Sequence, residues 1–475
     1  MTRALFALSL VAAACGTSSG DPPDARADAA SSDAGQGEDV GQREDAGQAG
    51  PDAGMEPACS VLGQTILVPV GAARTATLSG EGFSEATIVS GPTGWQLNAT
   101  GRRLEVQAPY VVGAADQPAL VRVRCGAVEA QAELRLEATP LRFTQLPGWD
   151  PGQTGPLARE YFSMWLDPTD ADRLWVYGGF HYVPRQFTTG HDAWSLDLRT
   201  SAWTPHSDGP ALGLPGAGLA TLADGRAYRY GGLSFNAQSG SAATPFVLHE
   251  IRTGTAGLSF TELHPGGASR TGDYQASFFH HPRTNQIYSV CGMNTDVGAH
   301  CNVSAFDPES GSWSRVVVDG TAPTGRNGHF WAYDPATDRL IIFSGEGYPG
   351  TNDCANCLDD TWALELSSTP PRWVELMNTA PPVGRRNGAY VLDPVGHRLF
   401  IWGGTPNGRT SAPGLWALDL RPGSEAWHEV PTVGGAPVRT SGAAVFDASR
   451  RRILFAFGNN PAPLTDLWAL ELSEQ

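Results

Sequence analysis

Four arginines of this chain share one spacing. Arg159, Arg326, Arg385 and Arg439 each stand eight residues before an aspartate, namely Asp167, Asp334, Asp393 and Asp447, and Arg270 lies near the corresponding place in a further segment. A guanidinium is a planar fork of donors that grips a carboxylate or another anion through two parallel hydrogen bonds. A ring of them can therefore hold an anionic ligand, or it can brace neighbouring loops from within. Ligand contact predicts that alanine at Arg326 and Arg385 weakens binding and leaves the melting temperature unchanged. Bracing predicts the reverse.

Cysteine offers the second chemistry. Apart from Cys15, six cysteines fall into three pairs: Cys59 with Cys125, Cys291 with Cys301, and Cys354 with Cys357. Three disulfides of an oxidising compartment are the reading. The Cys-x-x-Cys spacing of Cys354 and Cys357 also permits zinc ligation or disulfide exchange, and Cys291 and Cys301 can complete a four-sulfur set. His280 and His281 resemble a metal pair, yet His281-Pro282 occupies a place where other segments carry Asp-Pro, as in Asp167-Pro168, Asp334-Pro335 and Asp393-Pro394. A side chain before proline there caps a tight turn. No Ser/His/Asp spacing or carboxylate pair stands out, and no catalytic residue, metal or cofactor is assigned.

The elements that must position these residues repeat six times. Runs such as Leu174-Trp175-Val176-Tyr177-Gly178-Gly179 and Leu399-Phe400-Ile401-Trp402-Gly403-Gly404 end in glycines that recur every 53 to 60 residues. That period suits a four-stranded sheet with its loops. A second signature follows each turn, clearest in Asp360-Thr361-Trp362-Ala363-Leu364-Glu365-Leu366 and Asp466-Leu467-Trp468-Ala469-Leu470-Glu471-Leu472, with the alternation of a strand buried on one face. A further strand is marked by Trp203, Phe260, Trp313, Trp373 and Trp427, and the sixth unit lacks it. Phe143-Thr144-Gln145-Leu146 reads like Trp373-Val374-Glu375-Leu376. The N-terminal strand is thus expected to complete the last sheet, which would otherwise expose a long apolar edge.

With these signatures, residues 141–475 resemble the kelch-type β-propeller, the repeat family that includes the non-catalytic blades of galactose oxidase. The resemblance implies a ring of sheets that binds partners and rarely catalyses. The copper ligands of galactose oxidase, two tyrosines and two histidines, find no matching motif here. Fold alone does not fix function.

The remaining chain divides into three parts. Residues 1–15 read as a secretory signal, with Arg3, an apolar stretch and Ala12-Ala13-Ala14 before Cys15. This end resembles the lipobox of bacterial lipoproteins, which implies lipidation of Cys15. Residues 16–56 carry ten acids against Arg26 and Arg43 with almost no large apolar side chain, and are expected to remain a disordered tether. Residues 57–138 show short alternating runs that predict a small β-sandwich of immunoglobulin-like type, acting as a spacer. Residues 139–475 are the propeller.

A formal charge of −17 and the absence of lysine disfavour nucleic acid as a partner and exclude lysine chemistry. The expected fold is all-β: a six-bladed propeller closed by an N-terminal strand, behind a sandwich and a tether. The expected function is an exported envelope lipoprotein, held by its lipid and facing a protein or carbohydrate ligand. The loops after the glycine turns form the expected binding surface, with Tyr182 and Tyr348 suited to sugar stacking or protein contact. An extracytoplasmic carbohydrate-active or metal-dependent enzyme, with a metal or a carboxylate pair assembled across blades, is the alternative.

Overall fold

The computed structural model describes residues 59–472 apart from 127, 148–154, 184–185, 211–212, 237–240, 255–256, 268–271, 348–356, 378–379 and 409. Cys15, Arg270, Tyr348 and Cys354 lie outside the described residues, as do the signal and the tether. Among the described residues every helix or strand element is a strand.

Two small sheets come first, beside a short pairing of Ser60–Val61 with Gly80–Glu81. Gln64–Pro69, Val128–Thr139, Ala119–Cys125 and Glu85–Ser90 form one, and Ala73–Thr77, Arg103–Gln107 and Gln96–Thr100 the other. Alternate residues point inward, so Val68, Leu104, Val106, Val121, Val123, Leu134 and Leu136 are buried together. The Cys59–Cys125 disulfide ties ends 66 residues apart. Gln64–Pro69 runs parallel to the end of Val128–Thr139, a pairing that alternation alone could not indicate.

Six sheets of four main strands follow, each built as consecutive antiparallel neighbours. In blade four the order is Phe330–Asp334, Arg339–Phe343, Thr361–Glu365 and Arg372–Leu376, and the other blades repeat it. Second strands are buried on both faces, as in Arg339–Phe343, Arg398–Trp402 and Arg452–Ala456, which explains their unbroken apolar runs. In blade six Leu141–Gln145 pairs antiparallel with Leu467–Glu471, setting Phe143 opposite Leu470. The N-terminal strand does complete the last sheet.

First strands line the hub, and in blades one, four and five they end at the Asp-Pro turns. There Asp167 accepts from Thr169 N and Oγ1 at 2.9 and 2.7 Å, and Asp393 from the amides of Val395 and Gly396 at 3.1 and 3.0 Å. His281 substitutes for the aspartate: its Nδ1 accepts the Thr284 amide at 3.2 Å, while Nε2 meets Asp338 Oδ1 at 2.8 Å. His280 turns instead to Asn285 Oδ1 at 3.1 Å, so the two histidines serve different partners.

The sandwich packs against the turn side of blade five. Tyr110 stacks on His428 with ring centroids 4.3 Å apart and an interplanar angle of 6°. Arg398 Nη1 donates to the Gly71 carbonyl at 3.0 Å, and Arg421 Nη1 to Gln107 Oε1 at 3.4 Å. One apolar core runs from Val68 and Leu136 through Leu141 and Phe143 to Phe400 and Phe455.

Candidate functional site

The four spaced arginines do not face a ligand. Arg159, Arg326 and Arg439 are fully buried and Arg385 is 2% exposed. Arg159 spans both oxygens of Asp192 at 3.1 and 2.8 Å, and Arg326 both of Asp360 at 2.6 and 2.8 Å. Arg439 repeats this with Asp466 at 2.9 and 3.4 Å. A second donor reaches each acid: Trp194, Trp362 and Trp468 give Nε1–H to the same carboxylates at 2.7, 2.7 and 2.6 Å. The Asp-x-Trp signature is therefore a brace, which ties the third strand to the arginine before the first.

Each arginine also binds the carbonyl at its own glycine turn, Gly178 O for Arg159 at 3.2 Å and Ser344 O for Arg326 at 3.1 Å. Blade five has Gly414 where the acid would stand, and Arg385 turns to Val383 O and Gly403 O at 2.9 and 3.4 Å. Burial lowers its pKa to about 10. The expectation that Arg159, Arg326, Arg385 and Arg439 contact a ligand is corrected, because their donors are spent inside the blades. In blade three the brace is built from other residues: Asp273 holds the arginine's place and accepts from His300 Nε2 and Ser289 Oγ, both at 2.9 Å.

The cysteines are likewise committed. Cys291 is bonded to Cys301, and Cys357 is also disulfide-bonded. A four-sulfur zinc site would need those thiolates free, so that alternative falls. Tyr182 lies on the hairpin strand Phe180–Val183, opposite Phe187.

The hub on the loop side holds a different set of residues. Two positions after each arginine or its equivalent, the chain enters the left-handed region once per blade, at Tyr161, Gly216, Gln275, Gly328, Asn387 and Ser441, with φ from 53° to 67°. These residues form a chain of hydrogen bonds around the axis. Tyr161 N donates to Ser441 O, Gly216 N to Tyr161 O, Gln275 N to Gly216 O, Asn387 N to Gly328 O and Ser441 N to Asn387 O, at 2.6–3.1 Å.

Alternate blades fill the middle of that ring. Gln275 Nε2 donates to Asn387 Oδ1 at 2.7 Å, and Asn387 Nδ2 to Tyr161 Oη at 3.0 Å. Blades one, three and five thus supply long side chains that meet across the axis, and blades two, four and six supply Gly216, Gly328 and Ser441. The small residues are required: a Cβ on Gly328 would lie 2.3 Å from Asn387 Oδ1, and one on Gly216 2.3 Å from the Tyr274 ring. The result is a three-spoked plug. A bulky residue with positive φ, as at Tyr161, is strained backbone held in place by its surroundings.

Charge gathers around this plug. Arg386 bonds to Glu346, and Glu160 stands beside Tyr161 and Tyr274, whose rings are 6.2 Å apart. Burial first, then the Glu160 charge, pushes the Tyr161 phenol up to about 12. Burial also raises Tyr274 well above its ordinary value. Both phenols are neutral donors at physiological pH. This cluster escaped the sequence reading because its members lie on separate blades; the available signal was the residue two places after each arginine.

Beneath the plug a channel of about 480 Å³ runs between the first strands. His329 lines it, is buried, and shares a 2.7 Å hydrogen bond through Nε2 with Ser277 Oγ. Burial first, then Arg326, lowers its pKa to about 3. As pH falls below about 6.5 the unfolded chain takes up a proton that the folded chain refuses, so stability declines until about pH 3. His329→Gln is expected to flatten the melting temperature between pH 6.5 and 4 relative to the parent. Parallel pH curves for the two proteins would contradict the assignment.

Comparison with known proteins agrees with this architecture. Residues 279–475 match the KLHDC2/KLHL20/DRC7 Kelch-repeats domain. Adagio-like protein 1 of Oryza sativa subsp. japonica is 28% identical over 179 residues, which are 37% of this chain and 26% of that protein. Serine/threonine-protein phosphatase BSL2 of Arabidopsis thaliana is 26% identical over 175 residues, 36% of this chain and 16% of that protein. The solved structure of YjhT is similar with a TM-score of 0.50 at 17% identity, covering 66% of this chain and 94% of that one. The chain spans about a quarter or less of the length of these curated relatives. Its repeat region is a kelch-repeat β-propeller.

Proposed function

We propose that this chain is an exported, lipid-anchored binding protein whose loop side docks a protein partner. The observation that carries the reading is the plugged hub, a rigid floor bearing Glu160, Glu346, Arg386 and two neutral tyrosines amid loops of unequal length. Rigid scaffolds place ligand contacts on such loops, and a buried aromatic and arginine centre is the usual composition of an interface hot spot. Kelch domains commonly bind proteins, which supports the same choice. The formal charge of −17 favours a basic partner surface through steering of encounter.

Immobilised mature protein exposed to envelope extract tests the reading. A partner should be captured by the parent and by Val395→Arg, which alters an exposed residue of a turn on the other side, and lost with Arg386→Ala. Equal capture by Arg386→Ala, with loss in Val395→Arg, would move docking to the turn side. Retention only on a glycan array would replace the protein partner by a carbohydrate. The lipid anchor has its own test: labelled palmitate should enter the parent chain and not Cys15→Ser. Equal labelling of both would remove the anchor from the proposal.

A further inference from the structure

The loop-side plug makes the central channel one-ended. Tyr161, Gln275 and Asn387 close it at the loop side, and its walls continue along the first strands to Thr221, His280, Tyr333 and Leu392 near the turns. All six blades contribute to the lining. The sandwich packs on the turn side against blade five, yet none of its described residues lines the channel.

The chemistry of this lining differs from that of the rest of the chain. The protein carries a formal charge of −17, but among the described residues no Asp, Glu or Arg side chain lines the channel. Its titratable imidazoles are His280 and His329, both held neutral by burial. An ion entering such a cavity would lose its hydration with no opposite charge to receive it, a large cost. Neutral solutes escape that cost.

Shape and polarity narrow the choice. Phe162, Trp331, Tyr333 and Tyr390 give aromatic walls, with the Trp331 and Tyr390 rings 5.8 Å apart. The floor is polar, made of the amides of Gln275 and Asn387, the Tyr161 phenol and the Ser441 residue. The volume of about 480 Å³ falls among small-ligand pockets, which span about 300–1,000 Å³. Apolar walls with a few hydrogen-bonding groups at one end suit a ring that is apolar on its face and hydroxylated at its edge.

We infer that the channel is a binding pocket, entered from the turn side, for an uncharged hydroxylated ring of monosaccharide size. The ring lies against the aromatic wall and turns its hydroxyls to the amide floor. This pocket lies below the plug and is independent of docking on the loop side, so either proposal can fail without the other.

The probes are methyl β-glucoside, methyl β-galactoside and methyl α-mannoside, with methyl β-glucuronoside as the charged control, titrated into the mature protein by calorimetry and ligand-observed NMR. At least one neutral glycoside should bind with a Kd of about 1 mM or below. Methyl β-glucuronoside should bind roughly tenfold or more weakly, through the cost of desolvating its carboxylate. Ala444→Trp, which fills the channel, should abolish binding with the melting temperature retained, and Ala217→Leu serves the same purpose if Ala444→Trp fails to fold. Absence of binding by every neutral glycoside, equal binding of the glucuronoside, or undiminished binding by the filled variants would each overturn the inference.

Discussion

Replacing Phe143 with alanine is expected to destabilise the folded region by about 3–5 kcal/mol. Its ring is 4% exposed and lies 4.8 Å from the Trp402 ring and 5.8 Å from that of Phe455, so truncation leaves a cavity shared by blades five and six. A harsher change acts on the backbone. Thr144→Pro removes an amide from the ladder that sets Thr144 opposite Ala469, and the terminal strand then becomes an unpaired apolar edge. Thermal melts should show a large drop for Phe143→Ala, and size-exclusion chromatography should show aggregation for Thr144→Pro. A Thr144→Pro protein that remains monomeric with the parent's melting temperature would show that this strand does not hold the ring closed.

The second large effect belongs to Arg326. Arg326→Ala should cost about 3 kcal/mol or more, since it leaves Asp360 and the Ser344 carbonyl without their buried donor. The dependence on pH has a definite sign. Burial alone would raise the Asp360 carboxyl, but the Arg326 guanidinium and the Trp362 indole outweigh it and hold the pKa below the usual range. A lowered folded pKa contributes stability above the unfolded value, near 3.9, and this contribution is lost as pH falls through the folded value. The gap between parent and Arg326→Ala should therefore be widest above about pH 4 and shrink below it. Replacing the pair together, as Arg326→Met with Asp360→Leu, should recover much of the loss. An Arg326→Ala protein that melts like its parent would return this residue to ligand contact.

Much of this architecture was legible because it repeats. Glycine turns, the Asp-x-Trp signature and the kinship of Phe143 with Trp373 are local patterns, and a strand buried on both faces announces itself by an unbroken apolar run. The arginine spacing was legible too, but its meaning was not. Spacing places Arg326 at the start of a first strand, whereas the direction of its side chain depends on Asp360, 34 residues away. The plug was harder still. Gln275 and Asn387 are 112 residues apart, and Asn387 and Tyr161 are 226 apart, so only the ring's closure brings them together. Blade three shows why a motif search stalls: there an Asp273–His300 hydrogen bond takes the place of the arginine–aspartate pair.

The pairing of Phe143 with Leu470 also sets the order of events during synthesis. The ribosome makes the seal first and its mate last, so a growing chain carries an uncovered Leu141–Gln145 strand through the making of five complete sheets. Any factor that shelters nascent apolar segments has that strand as its longest-lived client.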